Sequence, residues 1–99
     1  MKLPRTLSIC GHSIKIKYRK KLFFNGSECW GVYDNNKAEI ILRYGMSDTQ
    51  KMEIILHEAI HAISDIHLLN LSEKAVKILG IEILGLLRNN KLNFLRGLK

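Results

Sequence analysis

Residues 47–66 read SDTQKMEIILHEAIHAISDI, and at this point the hydropathy period changes from two to that of a helix. Ser47-Asp48-Thr49-Gln50 has the shape of a capping box, a hydroxyl that accepts the amide three residues on and a side chain that reaches back. Behind it Met52, Ile55, Leu56, Ala59, Ile63 and Ile66 recur at the spacings of one helical face. The pattern predicts a helix over 48–66.

Toward the N-terminus the signal is period two from Leu7 to Tyr44, broken by turn residues at Cys10-Gly11-His12, Asn25-Gly26 and Asp34-Asn35-Asn36. Strands are expected over 6–9, 13–19, 29–34 and 38–43. Toward the C-terminus Asn70-Leu71-Ser72-Glu73 is a second helix start, followed by Ala75, Val76, Ile78, Leu79, Ile81, Ile83, Leu84, Leu86 and Leu87. That content predicts a largely buried helix over about 72–88. Beyond it Leu92, Phe94, Leu95 and Leu98 alternate with Lys91, Arg96 and Lys99, a short amphipathic tail expected to dock on its own domain. The only proline is Pro4, and neither a repeat nor a linker divides the chain. The expectation is therefore one α+β domain over residues 1–99: a small antiparallel sheet of three or four strands, then two main helices.

The predicted first helix contains His57-Glu58-Ala59-Ile60-His61, an H-E-x-x-H sequence. Residues i and i+4 stand one above the other on a helix, so both imidazoles can reach a single Zn2+ at roughly 2.0–2.1 Å. Glu58 is rotated one residue step away, beside the ion rather than on it, where it can take a proton from a zinc-bound water. The plainer reading is a pair of helix histidines satisfied by hydrogen bonds. Both border the apolar stripe, where an uncompensated imidazole pair costs free energy, and this favours the metal.

A catalytic zinc needs a third protein ligand. Glu73 shares a helix face with Val76, Gly80, Leu84 and Leu87, and Gly80 allows close approach to the first helix; it is the preferred choice, although a capping role paired with Asn70 competes. Glu82 falls about half a turn away by the 100° step and should face solvent. His67 is the second choice, because His57-Glu58-x-x-His61-x-x-Ser64-x-x-His67 fits the spacing H-E-x-x-H-x-x-G-x-x-H except at Ser64. Without that glycine the helix should continue, leaving His67 as an alternate ligand, an oxyanion donor or an ordinary loop histidine.

The net charge of +7 is uneven: residues 1–46 hold nine Lys/Arg against three acids, and residues 47–99 seven against six. Lys15, Lys17, Arg19, Lys20 and Lys21 interleave with Ile14, Ile16 and Tyr18. Lysines on a strand block edge-to-edge pairing; the alternative is attraction of nucleic acid or an acidic partner, and the sparse aromatics in this stretch favour the first. The N-terminus lacks an apolar signal segment and nothing is long enough to span a membrane, so a cytoplasmic protein with Cys10 and Cys29 as separate reduced thiols is expected.

Gly31-Val32-Tyr33-Asp34, Glu39-Ile40-Ile41-Leu42, Leu56-His57-Glu58-Ala59-Ile60-His61-Ala62-Ile63 and Leu71-Ser72-Glu73-Lys74-Ala75-Val76 together resemble the zincin metallopeptidases, and within them the short ImmA/IrrE-like peptidases of phages and mobile elements. The resemblance spans roughly residues 30–90. It implies a minimal zincin-like core with an active-site helix carrying both histidines and a second helix returning a glutamate ligand, the position of Glu73. It further implies a cleft beside the strand at 38–43, to whose edge an extended peptide adds, and an intracellular regulatory protein as substrate. The competing expectation is a catalytically silent module of the same fold that engages nucleic acid or a host protein through its basic surface.

Overall fold

The computed structural model describes residues 3–90. Strands β1 (Thr6–Ile9), β2 (His12–Arg19), β3 (Phe23–Phe24), β4 (Ser27–Glu28), β5 (Gly31–Asp34) and β6 (Glu39–Arg43) precede helices α1 (Asp48–Ile66) and α2 (Glu73–Asn89). The α+β class, the four main strands and both helices match the expectation. The tail over 91–99, expected to dock, lies outside the described residues.

Two turns set the hairpins. Cys10-Gly11 and Asn25-Gly26 each join strands through two residues with positive φ, 52° then 80° in both cases. That pair of angles defines the turn whose twist matches paired strands, and Gly or Asn enters it at little cost. The first turn closes β1 on β2; the second closes β3 on β4, a two-stranded sheet that periodicity over so few residues does not reveal. Between β5 and β6 the Asp34 carboxylate accepts the amides of Asn36 and Lys37 at 3.0 and 3.2 Å.

The main sheet runs in the order β1-β2-β6-β5 and is mixed, where an antiparallel sheet was expected. Strands β1–β2 and β5–β6 are antiparallel, but β2 and β6 are parallel, with Ile16 opposite Ile40 and Tyr18 opposite Leu42. Alternation has the same period in both pairings, so the residues alone do not tell them apart. The parallel pairing makes β6 an interior strand and leaves β5 at the edge.

Alternation sends Ile14 and Ile16 of β2 and Ile40 and Leu42 of β6 into one core with Ile9, Ile55 and Ala62. Helix α1 covers this face and α2 packs on α1. Ser47 accepts the Gln50 amide and Gln50 accepts the Ser47 amide, so the capping box forms as read. The second helix departs from expectation. Val76, Gly80 and Leu84 are buried, but Ile78, Leu79, Ile81, Leu86 and Leu87 are exposed, because among the described residues α1 supplies the one contact face.

One glycine sets how closely helix and sheet approach. A Cβ on Gly31 would run into Ile54 Cγ2, and would lie 3.5 Å from Leu42 and 3.7 Å from Glu58 Cγ. Gly31→Ala is expected to lower stability by about 1–3 kcal/mol through overpacking, read as a shift in urea midpoint with an unchanged m-value. An unchanged midpoint would contradict this account of the α1–β5 contact.

Candidate metal centre

His57 and His61 rise from one face of α1, one helical turn apart, with ring centroids 4.9 Å apart and planes 67° from parallel. Glu73 arrives from the first position of α2. Its Oε1 is 2.7 Å from His57 Nε2 and its Oε2 is 3.0 Å from His61 Nε2. The three ligand atoms lie within 4.8 Å of one another, and this is the one such His/Cys/Asp/Glu group among the described residues. Ligands of a tetrahedral zinc at about 2.0–2.2 Å are themselves about 3.4 Å apart, so the exposed Glu73 carboxylate would draw back slightly from its 2.7 and 3.0 Å contacts to admit an ion.

The delivery of Glu73 is traceable to short-range hydrogen bonds. Ser72, not Asn70, caps α2 by accepting the Ala75 amide at 3.1 Å, which leaves the Glu73 carboxylate free of capping duty. Asn70 instead occupies the left-handed region at φ 54°, as does Leu68. Ser64, buried in α1, holds this loop twice: its carbonyl accepts the Leu69 amide at 2.8 Å and its hydroxyl the Leu71 amide at 3.0 Å. Near the middle of α2, a Cβ on Gly80 would sit 3.8 Å from His57 Cα, so the helices meet closely beside the first histidine.

Ser64→Ala is accordingly expected to cost about 1–2 kcal/mol and to weaken zinc binding, because the orphaned Leu71 amide loosens the approach to Glu73. Isothermal titration with zinc checks this; wild-type affinity in a folded variant would contradict the positioning role.

Glu58 is 8% exposed and its Oε2 is 4.0 Å from His57 Nε2, outside the group of three. Burial pushes its carboxyl above the ordinary carboxylate range; His57 and His61 oppose that push, Glu73 adds to it, and the Tyr33 backbone opposes it. A carboxyl with a raised pKa beside two imidazoles exchanges protons more readily near neutrality than a solvated one.

The four side chains line a cleft of about 680 Å³ whose opposite wall is Trp30, Val32 and Tyr33. These residues belong to the edge strand β5 and its approach. The expectation that strand 38–43 borders the site is thus corrected: β6 is hydrogen-bonded on both sides, and β5 carries the free edge. Burial, with Asp65 and Asp34, pushes the Tyr33 phenol upward, so it stays a neutral donor at physiological pH.

Compared with family models, curated proteins and solved structures, the chain matches none. The geometry therefore stands alone. It brings His57, Glu58, His61 and Glu73 together and removes His67, whose Nε2 lies 3.1 Å from Cys10 Sγ at the β1–β2 turn. As the C-cap of α1, His67 follows a helix that runs unbroken through Ser64, and the missing glycine is what carries it away from the site. Glu82 is exposed, as expected, and both cysteines are free thiols. No helix among the described residues is long and apolar enough to cross a membrane.

Three contributors were not read from the sequence. In the sequence Ser64 stands out only as a departure from glycine, and Trp30 and Gly31 only as part of a strand. The signal for Ser64 was present, since a hydroxyl inside a helix just before a break can bond the chain that follows.

Proposed function

We propose that this chain is a zinc-dependent metallopeptidase with a minimal zincin-like core, in which His57, His61 and Glu73 hold the metal and Glu58 is the general base. The observation that carries the reading is one carboxylate 2.7 and 3.0 Å from two imidazole nitrogens of an H-E-x-x-H helix, with the motif's glutamate buried next to it. Two imidazoles and a carboxylate suit zinc and leave a fourth position open, as hydrolytic sites require. When bound there, zinc lowers the pKa of water toward 7 and polarises a carbonyl.

Glu58 does the proton work. It accepts the proton of the attacking water and passes it to the leaving amine nitrogen, and its burial keeps the carboxyl ready for both directions. The edge of β5 orients the substrate: an extended peptide adding there through main-chain hydrogen bonds lies over the cleft, between Trp30, Val32 and Tyr33 on one side and the metal ligands on the other. The substrate class is therefore an extended segment of a protein, and we infer a cytoplasmic regulatory protein, consistent with free thiols at Cys10 and Cys29.

The test is metal removal. Treatment with a zinc chelator is expected to abolish cleavage of an unstructured protein substrate such as casein or of a random peptide library, with recovery on returning zinc. Cleavage that survives complete demetallation would sink the reading. Stoichiometric zinc with no cleavage of any peptide would replace it by a catalytically silent module of the same fold.

A further inference from the structure

The sheet face opposite α1 carries no helix among the described residues, and one end of the sheet gathers cations and rings, of which Phe24 and Trp30 also line the cleft. Lys15, Lys17 and Arg19 of β2 are all exposed, alternating with the buried Ile14 and Ile16. The parallel register puts Arg19 opposite Arg43, a like-charge pair that costs free energy unless an anion relieves it. Arg43 is relieved by Glu28 at 2.7 Å and by stacking over Trp30 at 4.5 Å. For Arg19 no acidic partner lies within 4.0 Å among the described residues; its guanidinium donates only to its neighbour's carbonyl, Tyr18 O, at 3.1 Å. Lys20 and Lys21 follow directly and are also exposed.

The aromatics, sparse along residues 15–21, are supplied by folding from elsewhere. The β3–β4 hairpin pairs Phe23 with Glu28, the partner of Arg43. Tyr44 donates its amide to Arg19 O at 2.9 Å, but its ring stacks on Tyr18 with centroids 5.4 Å apart, and Lys51 of α1 lies 5.6 Å over the Tyr18 ring, so this pair faces the α1 side. Phe23, Phe24 and Trp30 are 58, 56 and 46% exposed. Three large rings at that exposure beside four cations are costly surface for a chain with no use for them.

The charge is also layered. Residues 3–46, which form the sheets, hold eight Lys/Arg against three acids, and residues 47–90, which form the helices, hold four against six. A polyanion would be drawn to the sheet side.

We propose that this end of the sheet binds single-stranded nucleic acid, with phosphates on Lys17, Arg19, Lys20 and Lys21 and unpaired bases stacked on Phe23 and Trp30. Cations that track a backbone beside exposed rings are the two requirements for such a strand. An acidic peptide would satisfy the cations but offers no flat faces for the rings, and a duplex keeps its bases stacked on one another. An anionic membrane would have to accept the Glu28–Arg43 ion pair among the inserted rings. The inference does not rest on the metallopeptidase reading.

The test is fluorescence anisotropy of the full chain with a labelled oligodeoxythymidine of about 20 nucleotides, longer than the roughly 4–16 that a small single-strand site covers. Binding is expected to weaken with salt, and the double variant Lys17→Glu/Arg19→Glu to bind about tenfold or more weaker with a shallower salt slope. Trp30→Ala is expected to bind more weakly by a similar factor, with Trp30→Phe restoring most of the loss, and circular dichroism melts verify that each variant is folded. Glu58→Gln should bind as wild type. Absence of salt-sensitive binding, or folded variants that bind unchanged, would overturn the proposal. So would equal competition by duplex DNA, by polyglutamate or by phosphatidylserine vesicles, which would assign the surface to that partner instead.

Discussion

Replacing Glu58 by glutamine is expected to lower peptide hydrolysis by about 10²–10⁴-fold, the usual contribution of a positioned general base, while one zinc per chain is retained. Glutamine keeps the size of the side chain and fills the same buried space between α1 and β5. It removes only the capacity to take and return a proton. Because Glu58 lies outside the three ligand atoms, with its Oε2 4.0 Å from His57 Nε2, zinc content should not change. Glutamine also removes a buried ionisable carboxyl, so stability should be equal or slightly higher. Turnover measured beside metal analysis of the same preparation checks this. Loss of zinc in the variant would make Glu58 a ligand, and undiminished turnover would remove it from the chemistry.

Glu73→Ala should show the opposite pattern, with the metal lost and the fold kept. Its side chain is 71% exposed and supports no packing, so the metal-free variant is expected within about 0.5 kcal/mol of the metal-free wild type. Two imidazoles remain, one ligand short of a hydrolytic site. Zinc affinity is expected to fall by more than the roughly 10–100-fold that loss of an outer-shell partner brings. Zinc binding only the folded state at 100 times its dissociation constant adds about 2.7 kcal/mol, and a domain of this size gains about 4–8 °C in Tm per kcal/mol. Zinc should therefore raise the Tm of wild type by more than 10 °C or so and leave Glu73→Ala nearly unmoved. His67→Ala, altering a residue placed against Cys10, should respond as wild type does.

The helices and the motif were legible because the signals that define them are local. Ser47 and Gln50 cap α1 as their spacing indicates, and H-E-x-x-H on an unbroken helix fixes where both imidazoles stand. The placement of Glu73 rather than His67 beside the two histidines was partly legible too, since Ser64 lacks the conformational freedom to turn the chain where a glycine would. What escaped depends on contacts distant in sequence. Alternation in 39–43 says which side chains are buried and nothing about whether β2 or β5 is the neighbour, so the parallel pairing and the edge position of β5 were invisible. The apolar content of α2 measured hydrophobicity without a count of covering elements, and only one side of that helix finds a partner among the described residues. The aromatic end of the sheet failed to register for a related reason: Trp30, Tyr44 and the Phe23–Phe24 pair join the basic strand through folding, not through adjacency.

The ligand set itself is most directly tested by zinc K-edge X-ray absorption on the protein purified with one equivalent of zinc. The expected spectrum has only nitrogen and oxygen neighbours at about 2.0–2.2 Å, with the multiple-scattering pattern of two imidazoles, and loses its carboxylate contribution in Glu73→Ala. A sulfur neighbour near 2.3 Å, which would implicate Cys10 or Cys29, or a spectrum unchanged by Glu73→Ala, would contradict the site assigned to His57, His61 and Glu73.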